Sequence, residues 1–361
     1  MKTDEKLKVL QVINSLSVGG AEKLVVDISK SLKDSTINNK VLVLQYTDSF
    51  LQQQIEEQSE DDLEYLTRGS VYNPFLIFRL IKFLKRFDVI HMHLFPTLYW
   101  VVFASFFISK PRLIYTEHST ENRRRRIYLF KLLDRIIYKR LNVVTCITQS
   151  TKENLVNHIG YDNNFKIVNN GIFIDDYYDK AADYDFLKDT FRLIQVSSFR
   201  EQKDQMTLLK AMTLLPENIS LILVGEGELK GDCINYCKLN NLENRVLFLG
   251  ARKDVPELLN YADITILSSH YEGFGLAILE GMAAGKPALA SNVKGVKEIV
   301  NGYGLLFEKG DYSELASLIL KLKNDKLFYE TISKKCFERA QDYDINFMIS
   351  KLVEIYKDQV L

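Results

Sequence analysis

Short runs of apolar, β-branched residues alternate along the chain with longer stretches whose apolar positions recur at helical spacing. Apolar runs of this length are typical of buried strands, whereas recurrence at i, i+3 and i+4 indicates an amphipathic helix. We therefore predict strands in the first half at residues 9–14, 41–45, 89–93, 113–116 and 143–147. Helices are predicted between them at residues 21–32, 75–86, 97–108 and 127–140.

A second alternating series follows an acidic, tyrosine-rich stretch at residues 175–189 that has no apolar period. Its strands are predicted at residues 191–197, 221–224, 246–249, 264–267 and 287–290, and its helices at residues 206–214, 229–239, 255–261 and 276–284. Alternation of this kind gives a parallel doubly wound sheet, which binds ligands beyond the carboxyl ends of its strands. The pattern predicts an α/β protein with two such domains, residues 1–175 and 190–340, a ligand-binding cleft between them and a closing helix at residues 345–361.

Composition narrows the function classes. The 361 residues include 47 basic and 47 acidic ones, which excludes a polybasic nucleic-acid-binding protein and an acidic disordered chain. The neutral sum hides an asymmetry, because residues 1–175 carry 24 basic and 19 acidic residues and the remainder carries 23 and 28. No apolar run reaches the roughly 20 residues of a membrane-spanning helix, and no signal-peptide pattern is present. We expect a cytoplasmic protein with no nucleic-acid partner.

Cysteine spacing adds no metal site. The four cysteines are scattered without the paired spacing of zinc ligands, and no histidine pair accompanies them: Cys146, Cys233, Cys237 and Cys336. We expect reduced thiols in the core and no bound metal.

The most informative segment is residues 268–287, where an apolar strand is followed by a Gly-x-Gly turn and a helix of small residues. Such a turn directs backbone N–H groups and the start of a helix at one point, which suits a diphosphate. Glu272 precedes this helix and Glu280 lies about two turns inside it, so the two carboxylates can reach points on the order of 10 Å apart. That separation matches the distance between the sugar and the ribose of a nucleotide sugar.

These two glutamates, within Glu-Gly-Phe-Gly and ahead of Gly-Lys-Pro, resemble the signature of retaining glycosyltransferases of family 4, including bacterial exopolysaccharide and capsule enzymes. The resemblance covers nearly the whole chain and implies the GT-B fold, in which two Rossmann-like domains face each other across a cleft. It implies that Glu272 contacts hydroxyls of the donor sugar and that Glu280 binds the ribose. The diphosphate would meet the backbone of four residues: Gly273, Phe274, Gly275 and Leu276.

The resemblance assigns the acceptor side to the first domain, on which the closing helix is implied to pack. Gly19 and Gly20, after Val18, correspond to a glycine-rich loop that lets substrate approach the backbone closely. His118 matches a histidine near the transferred sugar, where a neutral imidazole can hydrogen-bond hydroxyls or move a proton. His93, at the carboxyl end of its strand, is a further candidate for the cleft, with a structural core histidine as the alternative.

The resemblance assigns the donor side to the second domain. Lys203 corresponds to the lysine that neutralises the leaving diphosphate, while Ser198 stands where the family has an arginine, and we take Arg200 as the candidate replacement. Loops at Gly225 and at residues 250–252, with Gly250 and Arg252, are implied to line the donor pocket. No Asp-x-Asp motif follows a strand, so we expect transfer without a metal ion, with the nucleotide sugar as co-substrate and no further cofactor.

A basic block marks the first domain. Residues 79–140 include 14 basic and 4 acidic residues, among them the arginine run 123–126, together with the aromatic run 98–103. Basic and aromatic groups together suit contact with anionic lipid. We expect these segments to contact the inner face of the membrane, near a lipid-linked acceptor. The alternative is a buried helix at residues 97–108 beside a solvated basic face.

Together these features predict a hexosyl- or N-acetylhexosaminyltransferase that moves a sugar, with retention, from a UDP-linked donor to a glycan or lipid-linked saccharide in surface polysaccharide synthesis. A nicotinamide-dependent oxidoreductase would need Gly-x-Gly-x-x-Gly after its first strand and an acidic residue ending its second. The chain instead has Gly19-Gly20-Ala21 and Gln45 at those places. A non-catalytic nucleotide-binding protein of two domains is the remaining alternative.

Overall fold

The structure is a computed structural model, and its described residues are 6–17, 19–33, 35–58, 62–108, 111–119, 125, 127–162, 164–180 and 183–359. Val18 and the three arginines at positions 123, 124 and 126 lie outside them. The chain divides into two compact units, one formed by Met1–Gly171 with Ile345–Leu361 and the other by Ile172–Asp344. Each unit contains a parallel sheet whose strands alternate with helices, so the predicted doubly wound α/β class is confirmed.

The first unit is built on seven strands within the described residues: β1 Leu7–Ile13, β2 Ile37–Gln45, β3 Leu63–Thr67, β4 Val89–His93, β5 Arg112–Glu117, β6 Val143–Cys146 and β7 Phe165–Ile167. Their order in the sheet is β3-β2-β1-β4-β5-β6-β7. Six helices join them: α1 Gly20–Leu32, α2 Phe50–Gln58, α3 Leu76–Leu84, α4 Thr97–Ser105, α5 Tyr128–Lys139 and α6 Gln149–Ile159.

The second unit has six strands in the described part of the chain: β8 Phe191–Val196, β9 Ile219–Val224, β10 Val246–Gly250, β11 Ile264–Leu267, β12 Ala288–Ser291 and β13 Leu305–Phe307. Their order is β10-β9-β8-β11-β12-β13. The helices of this unit are α7 Gln205–Met212, α8 Lys230–Leu239, α9 Val255–Tyr261, α10 Leu276–Ala283, α11 Val296–Val300, α12 Tyr312–Asn324 and α13 Lys326–Gln341. The last helix, α14 Ile345–Asp358, belongs to the first unit.

Both sheets reverse their strand order beside their first strand. β1 lies between β2 and β4, and β8 lies between β9 and β11. At such a point the neighbouring connections leave on opposite faces of the sheet, which opens a crevice beyond the carboxyl ends of the strands. The loops after β1, β4 and β5 in the first unit, and after β8 and β11 in the second, are therefore the expected binding positions.

The division between the units comes earlier than the sequence pattern predicts. The pattern ends the first domain at residue 175 and begins the second at residue 190, whereas the second unit begins at Ile172. Ile174 and Tyr177 are buried in it, and the Tyr177 hydroxyl donates to Glu280 at 2.8 Å. Individual anchoring side chains, and not an apolar period, fix this segment to the second unit.

Several of the described residues that were predicted to contact lipid are buried or ion-paired. In α4, Leu98, Val101 and Val102 are fully buried in the core of the first unit. The Arg125 guanidinium pairs with the Glu117 carboxylate at 2.6 Å, and its side chain is only 10% exposed. A buried helix and an ion-paired arginine cannot bind headgroups, so the lipid-contact prediction is wrong for these residues. Among the described helices, none combines the length and apolar character needed to cross a membrane.

Helix α10 packs closely on β11 because Gly281 has no side chain. A Cβ at this position would lie 2.4 Å from Cγ2 of Thr265, which is itself buried. Close packing of this helix matters for the site, since α10 carries Glu280 and begins at the Gly-x-Gly turn.

We expect Gly281→Ala to lower the free energy of unfolding by about 1–3 kcal/mol, because the added methyl group overpacks the contact with Thr265. This loss would exceed the gain of about 1 kcal/mol that alanine brings to a helix. Denaturant titration followed by circular dichroism measures the change. Gly231→Ala is the matched control, because an exposed Cβ at that position in α8 meets nothing within 4 Å. Equal effects of the two substitutions would contradict the packing argument.

Candidate active site

The turn between β11 and α10 depends on two glycines. Gly275 precedes α10 with φ of 96°, in the left-handed region that favours glycine. Gly295, before α11, lies against the turn, and a Cβ there would be 2.4 Å from the carbonyl oxygen of Glu272. The Phe274 ring is buried and packs edge-on against Tyr343, with 5.5 Å between the ring centroids. A ligand at this turn would therefore contact the backbone of Phe274 and not its ring. The sequence pattern alone does not single out Gly295.

A short ion pair joins two of the predicted site residues. Lys203 Nζ lies 2.5 Å from Glu272 Oε1, and the Ser269 hydroxyl donates to the same oxygen at 2.6 Å. Lys203 follows β8 and Glu272 follows β11, and these strands are neighbours at the centre of the second sheet. The Glu272 side chain is 7% exposed and that of Lys203 is 21% exposed. The fold thus gathers a cation and a carboxylate at the carboxyl edge of the sheet.

Buried amide and hydroxyl groups hold the loop that carries Lys203. Gln195 Nε2 donates to the Lys203 carbonyl at 3.0 Å, and Ser268 Oγ donates to the Asp204 carbonyl at 2.8 Å. Gln205 Nε2 donates to the Ser198 carbonyl at 3.0 Å. All three side chains that donate are buried, so these bonds are protected from water. The sequence gives no signal for them, because isolated polar residues within a strand, after a strand or at the start of a helix form no motif.

Glu280 lies in α10 with its carboxylate nearly buried. Its Oε1 accepts a hydrogen bond from the Tyr177 hydroxyl at 2.8 Å, and the residue is 6% exposed. The tyrosine comes from the segment that the sequence pattern assigned to a linker. A carboxylate that already accepts one hydroxyl proton has remaining lone pairs for further hydroxyl donors.

The two arginines of the donor-side prediction differ in their surroundings. Arg200 is exposed, at the start of a short 3-10 helix, Glu201–Lys203, and its carbonyl accepts from the Lys203 N–H at 2.8 Å. Arg252 instead makes two hydrogen bonds to the Asp254 carboxylate, at 2.7 and 2.6 Å. This pairing lowers the pKa of Asp254 to about 2. The Arg252 side chain is therefore occupied, which leaves its backbone for ligand contact.

The glycines after β9 and β10 serve close approach between loops. A Cβ at Gly225 would lie 2.2 Å from the Ser197 carbonyl oxygen, and one at Gly227 would lie 2.4 Å from that of Phe199. The Gly225 N–H donates to the Gly250 carbonyl at 2.8 Å. These contacts press the loops after β8, β9 and β10 together. They explain why glycine occupies positions 225 and 227. Contact of this loop with a donor stays a prediction.

In the first unit, Gly19 and Gly20 begin α1. Gly19 is extended, with φ of −171°, and its carbonyl accepts from the Lys23 N–H at 3.0 Å. A Cβ there would meet only the flexible end of the Glu22 side chain, at 2.3 Å. Backbone strain therefore does not require glycine at position 19. The close approach of a substrate to this loop stays a prediction.

The predicted histidines belong to one buried hydrogen-bonded chain. His118 Nε2 lies 3.0 Å from His93 Nδ1, and His93 Nε2 lies 2.8 Å from Gln11 Oε1. Gln11 Nε2 donates to the Tyr356 hydroxyl at 3.0 Å, and this hydroxyl lies 2.7 Å from His91 Nδ1. Gln11, Tyr356, His91 and His93 are fully buried. His93 is therefore both a core histidine and a direct contact of His118.

The Gln11 amide sets the direction of this chain. Its carbonyl oxygen can only accept, so His93 must carry its proton on Nε2 and accept at Nδ1. His118 then donates from Nε2, which leaves the lone pair of its Nδ1 for an incoming donor. On the other side, the Tyr356 hydroxyl accepts from Gln11 and has its own proton to donate to His91 Nδ1.

All three histidines are held neutral. Burial lowers the pKa of His91 to about 3, with a further contribution from His118, and it lowers the pKa of His93 well below its usual value. Burial also lowers the pKa of His118 to about 4, although the neighbouring Glu117 acts in the opposite direction. His118 thus offers a hydrogen-bonding imidazole and not a cation.

We expect NMR of histidine-labelled protein to show the neutral Nε2–H form of His93 and His118 at pH 6, with His118 becoming protonated only near its lowered pKa of about 4. The pKa values of these histidines in the folded state lie below the unfolded value of about 6.5. Their contribution to the free energy of unfolding is therefore complete above that pH and is lost as the pH falls towards 4. Acid unfolding of His93→Gln should be shifted to lower pH. Titration of His118 near pH 6.5 would contradict the arrangement.

Comparison with known proteins follows the same division of the chain. The model for Glycosyltransferase Family 4 matches residues 18–176, and the model for Glycosyl transferases group 1 matches residues 179–340. UDP-Gal:alpha-D-GlcNAc-diphosphoundecaprenol alpha-1,3-galactosyltransferase of Escherichia coli is 26% identical over 307 residues, which is 79% of each chain. N,N'-diacetylbacillosaminyl-diphospho-undecaprenol alpha-1,3-N-acetylgalactosaminyltransferase of Campylobacter jejuni is 33% identical over 157 residues, or 42% of this chain and 40% of its own.

Solved structures share the fold over almost the whole chain. HepE of Anabaena, solved in complex with UDP-glucose, superposes with a TM-score of 0.87 at 25% identity, covering 98% of this chain and 100% of HepE. A glycosyltransferase of Rickettsia africae superposes with a TM-score of 0.81 at 20% identity, covering 98% of this chain and 99% of its own.

Two doubly wound parallel sheets, each with polar groups gathered at its switch point, define the class of GT-B glycosyltransferases. Since the two family models together span nearly the whole chain, the protein belongs to glycosyltransferase family 4, as its sequence signature predicts. The matches favour neither an oxidoreductase nor a non-catalytic nucleotide-binding protein.

Proposed function

We propose that this glycosyltransferase moves a sugar, with retention of configuration, from a UDP-sugar to a hydroxyl of a lipid-linked saccharide in surface polysaccharide synthesis. The partly buried Lys203–Glu272 pair beside the start of α10 carries this proposal, because it combines a cation for a leaving diphosphate with a carboxylate for sugar hydroxyls. HepE was solved with UDP-glucose, and the Escherichia coli and Campylobacter jejuni relatives are named for undecaprenol-linked acceptors. These relatives support the donor and acceptor classes.

In the proposed mechanism the second unit binds the donor. The diphosphate would meet the turn at residues 273–276, where backbone N–H groups and the start of α10 favour an anion. Lys203 would then be shared between Glu272 and the diphosphate, so that its charge offsets the negative charge of the departing nucleotide. Glu272 would orient the sugar, and Glu280 would accept hydrogen bonds from the ribose.

We further propose that the reaction needs no metal ion and no cofactor beyond the co-substrate. Lys203, the exposed Arg200 and the start of α10 supply positive potential of the kind that metal-dependent enzymes obtain from a cation. Glu272 and Glu280 are both engaged by partners, which favours front-face attack over attack by one of these carboxylates. The acceptor oxygen would form its bond to the sugar on the face from which UDP departs.

The first unit would contribute His118 and the loop at Gly19 and Gly20. Because His118 is held neutral, its proposed task is to orient a hydroxyl through Nδ1 and not to supply positive charge. A lipid-linked acceptor would place this enzyme at the cytoplasmic face of a membrane. The transferred sugar in this proposal is a hexose or an N-acetylhexosamine.

Incubation with labelled UDP-, GDP- and ADP-sugars and a soluble saccharide diphosphate tests the donor and the stereochemistry. We expect transfer from a UDP-sugar in the presence of EDTA, with the donor's anomeric configuration retained in the product as measured by NMR. An inverted product would contradict retention, and loss of transfer in EDTA would contradict metal independence. Use of only GDP- or ADP-sugars would contradict the choice of UDP.

Substitution can separate the roles of Lys203 and Arg200. We expect Lys203→Gln to lower kcat by about 10²- to 10³-fold, the usual effect of removing a group that stabilises developing charge. Arg200→Gln should lower kcat about tenfold or more if Arg200 takes the place of the family arginine. Activity should then return in Arg200→Gln combined with Ser198→Arg.

Lys210→Gln, on the exposed surface of α7, is the matched control and should leave kcat unchanged. Full activity of Arg200→Gln would remove Arg200 from the mechanism. Full activity of Lys203→Gln would overturn the assignment of the leaving-group site.

A further inference from the structure

The first unit exposes apolar side chains on two helices that flank α4. Phe75, just before α3, is 71% exposed, and Phe78 within it is 66% exposed. On α5, Tyr128, Leu129 and Ile136 are 74%, 71% and 61% exposed. Single exposed apolar residues are ordinary, but a group of large ones on the two helices beside α4 indicates an interaction surface.

These side chains belong to one region of the surface. The Phe95 ring, before α4, contacts Tyr72 on one side and Phe130 of α5 on the other, at 6.4 Å between centroids in each case. Helices α3, α4 and α5 also contribute to the same core cluster. The exposed residues at the starts of α3 and α5 therefore lie on either side of α4. We call the following residues the docking surface: Tyr72, Phe75, Phe78, Tyr128, Leu129, Leu132 and Ile136.

The docking surface has a regular pattern on α5. Leu129, Leu132 and Ile136 recur at i, i+3 and i+7, so they form one stripe along the helix. The opposite face of α5 is buried and carries Ile137 and Tyr138. A helix that is apolar on both its buried and its exposed faces needs a second apolar environment.

Positive charge borders the docking surface. Residues 71–86 and 127–140 contain eight lysines and arginines and one acidic residue, Asp134, which is buried and bonded to His158 at 2.8 Å. Lys82 and Lys85 on α3 and Lys139 on α5 are exposed. Outside these segments, Glu64 pairs with Arg86 at 3.3 Å at the edge of α3. The balance of charge beside the apolar side chains is strongly positive.

We propose that the docking surface binds the face of an anionic lipid bilayer. Its aromatic and aliphatic side chains enter the boundary between headgroups and acyl chains, and the bordering lysines lie near lipid phosphates. This inference rests in part on the proposed function, since a lipid-linked acceptor is presented at such a surface. It moves the predicted lipid contact from the buried side chains of α4 and the paired Arg125 to α3 and α5.

Charge also argues against a second copy of this chain as the occupant. A two-fold symmetric contact brings the same patch of both copies together. Lys82, Lys85 and Lys139 of one copy would then lie against the same basic patch of the other, and residues 71–86 and 127–140 contain no exposed acidic side chain to compensate them. A bilayer that contains anionic lipid offers both the apolar interior and the complementary charge.

The position of the docking surface suits delivery of an acceptor. α3, α4 and α5 each begin at the carboxyl edge of the first sheet, because each follows a strand of this parallel sheet. His118 follows β5 at the same edge. A headgroup-linked saccharide would therefore approach the first unit on the side that carries its histidine chain.

Vesicle cosedimentation of the full-length protein tests the proposal. We expect binding to vesicles of phosphatidylcholine and phosphatidylglycerol, and much weaker binding to phosphatidylcholine alone. The docking variant Phe78→Ser/Leu129→Ser/Ile136→Ser should bind the anionic vesicles at least about tenfold more weakly. The charge variant Lys82→Gln/Lys85→Gln/Lys139→Gln should bind several-fold more weakly and with a smaller dependence on salt.

A matched control removes equally exposed apolar groups elsewhere. Phe347→Ser/Leu239→Ser/Leu327→Ser changes residues that are 60%, 83% and 75% exposed, on α14, α8 and α13. It should bind vesicles like the unmodified protein. Equal binding by the docking variant and the control would overturn the proposal, and so would failure of the unmodified protein to bind anionic vesicles.

A labelled single-site variant keeps the test independent of the triple substitution. The four native cysteines are buried, so Phe78→Cys offers an accessible thiol for an environment-sensitive fluorophore. Its emission should shift to the blue on anionic vesicles, whereas a label on Leu239→Cys should not respond. A concentration-dependent dimer that the docking variant abolishes, without any response to vesicles, would assign the surface to a second copy instead.

The outcomes separate this proposal from the proposed function. UDP should stabilise the docking variant and the unmodified protein equally in thermal unfolding, because the docking surface lies outside the donor-binding unit. Stabilisation by UDP without vesicle binding would overturn only the docking proposal. Vesicle binding without donor binding would overturn only the proposed function.

Discussion

The ion pair between Lys203 and Glu272 is the interaction on which the organisation of the second unit's site depends. It joins the loop after β8 to the loop after β11, at the point where the strand order of the sheet reverses. Glu272 is nearly buried and Lys203 partly so, and the cost of removing these charges from water offsets much of their attraction, so the pair adds little net stability. Its position in the fold is more informative than its energy. Here it holds the charge of Lys203 beside the carboxylate of Glu272, which lies four residues before α10 begins.

The surroundings of this pair are consistent with that arrangement. Gln195 and Ser268 fix the backbone next to Lys203, and Gly295 leaves room for the backbone of Glu272. In the first unit the polar groups at the carboxyl edge of the sheet are held without an ion pair. Its chain of His118, His93 and Gln11 is satisfied by neutral donors and acceptors whose direction a single amide decides. One unit thus offers a compensated charge, and the other offers an oriented, uncharged hydrogen-bonding group.

The sequence predicted what local pattern and motif can encode. Apolar runs located most of the central strands, and the segment that contains Glu272 and Glu280 was predicted to form the donor site, which stays a prediction. The sequence pattern did not locate β3, a short edge strand with polar residues, or the buried Gln195, because neither has a periodic signature. The aromatic run in α4 was taken for a surface, since composition cannot tell which face of a helix its neighbours cover. Tyr177 was taken for linker for the same reason: its partner, Glu280, lies 103 positions away in sequence.

The basic block of the first unit shows how counts of charge and available charge differ. Three of its arginines donate to fixed acceptors within the unit: Arg79 to the Leu66 carbonyl, Arg125 to Glu117 and Arg135 to the Ile159 carbonyl. A planar guanidinium is suited to such directional bonds, whereas a lysine ammonium at the end of a flexible chain acts over the surface. Lys82, Lys85 and Lys139 remain exposed around the apolar side chains of α3 and α5. Among the described residues, these lysines carry the exposed positive charge beside the apolar side chains, so a count of basic residues alone does not show which charges an anionic surface would meet.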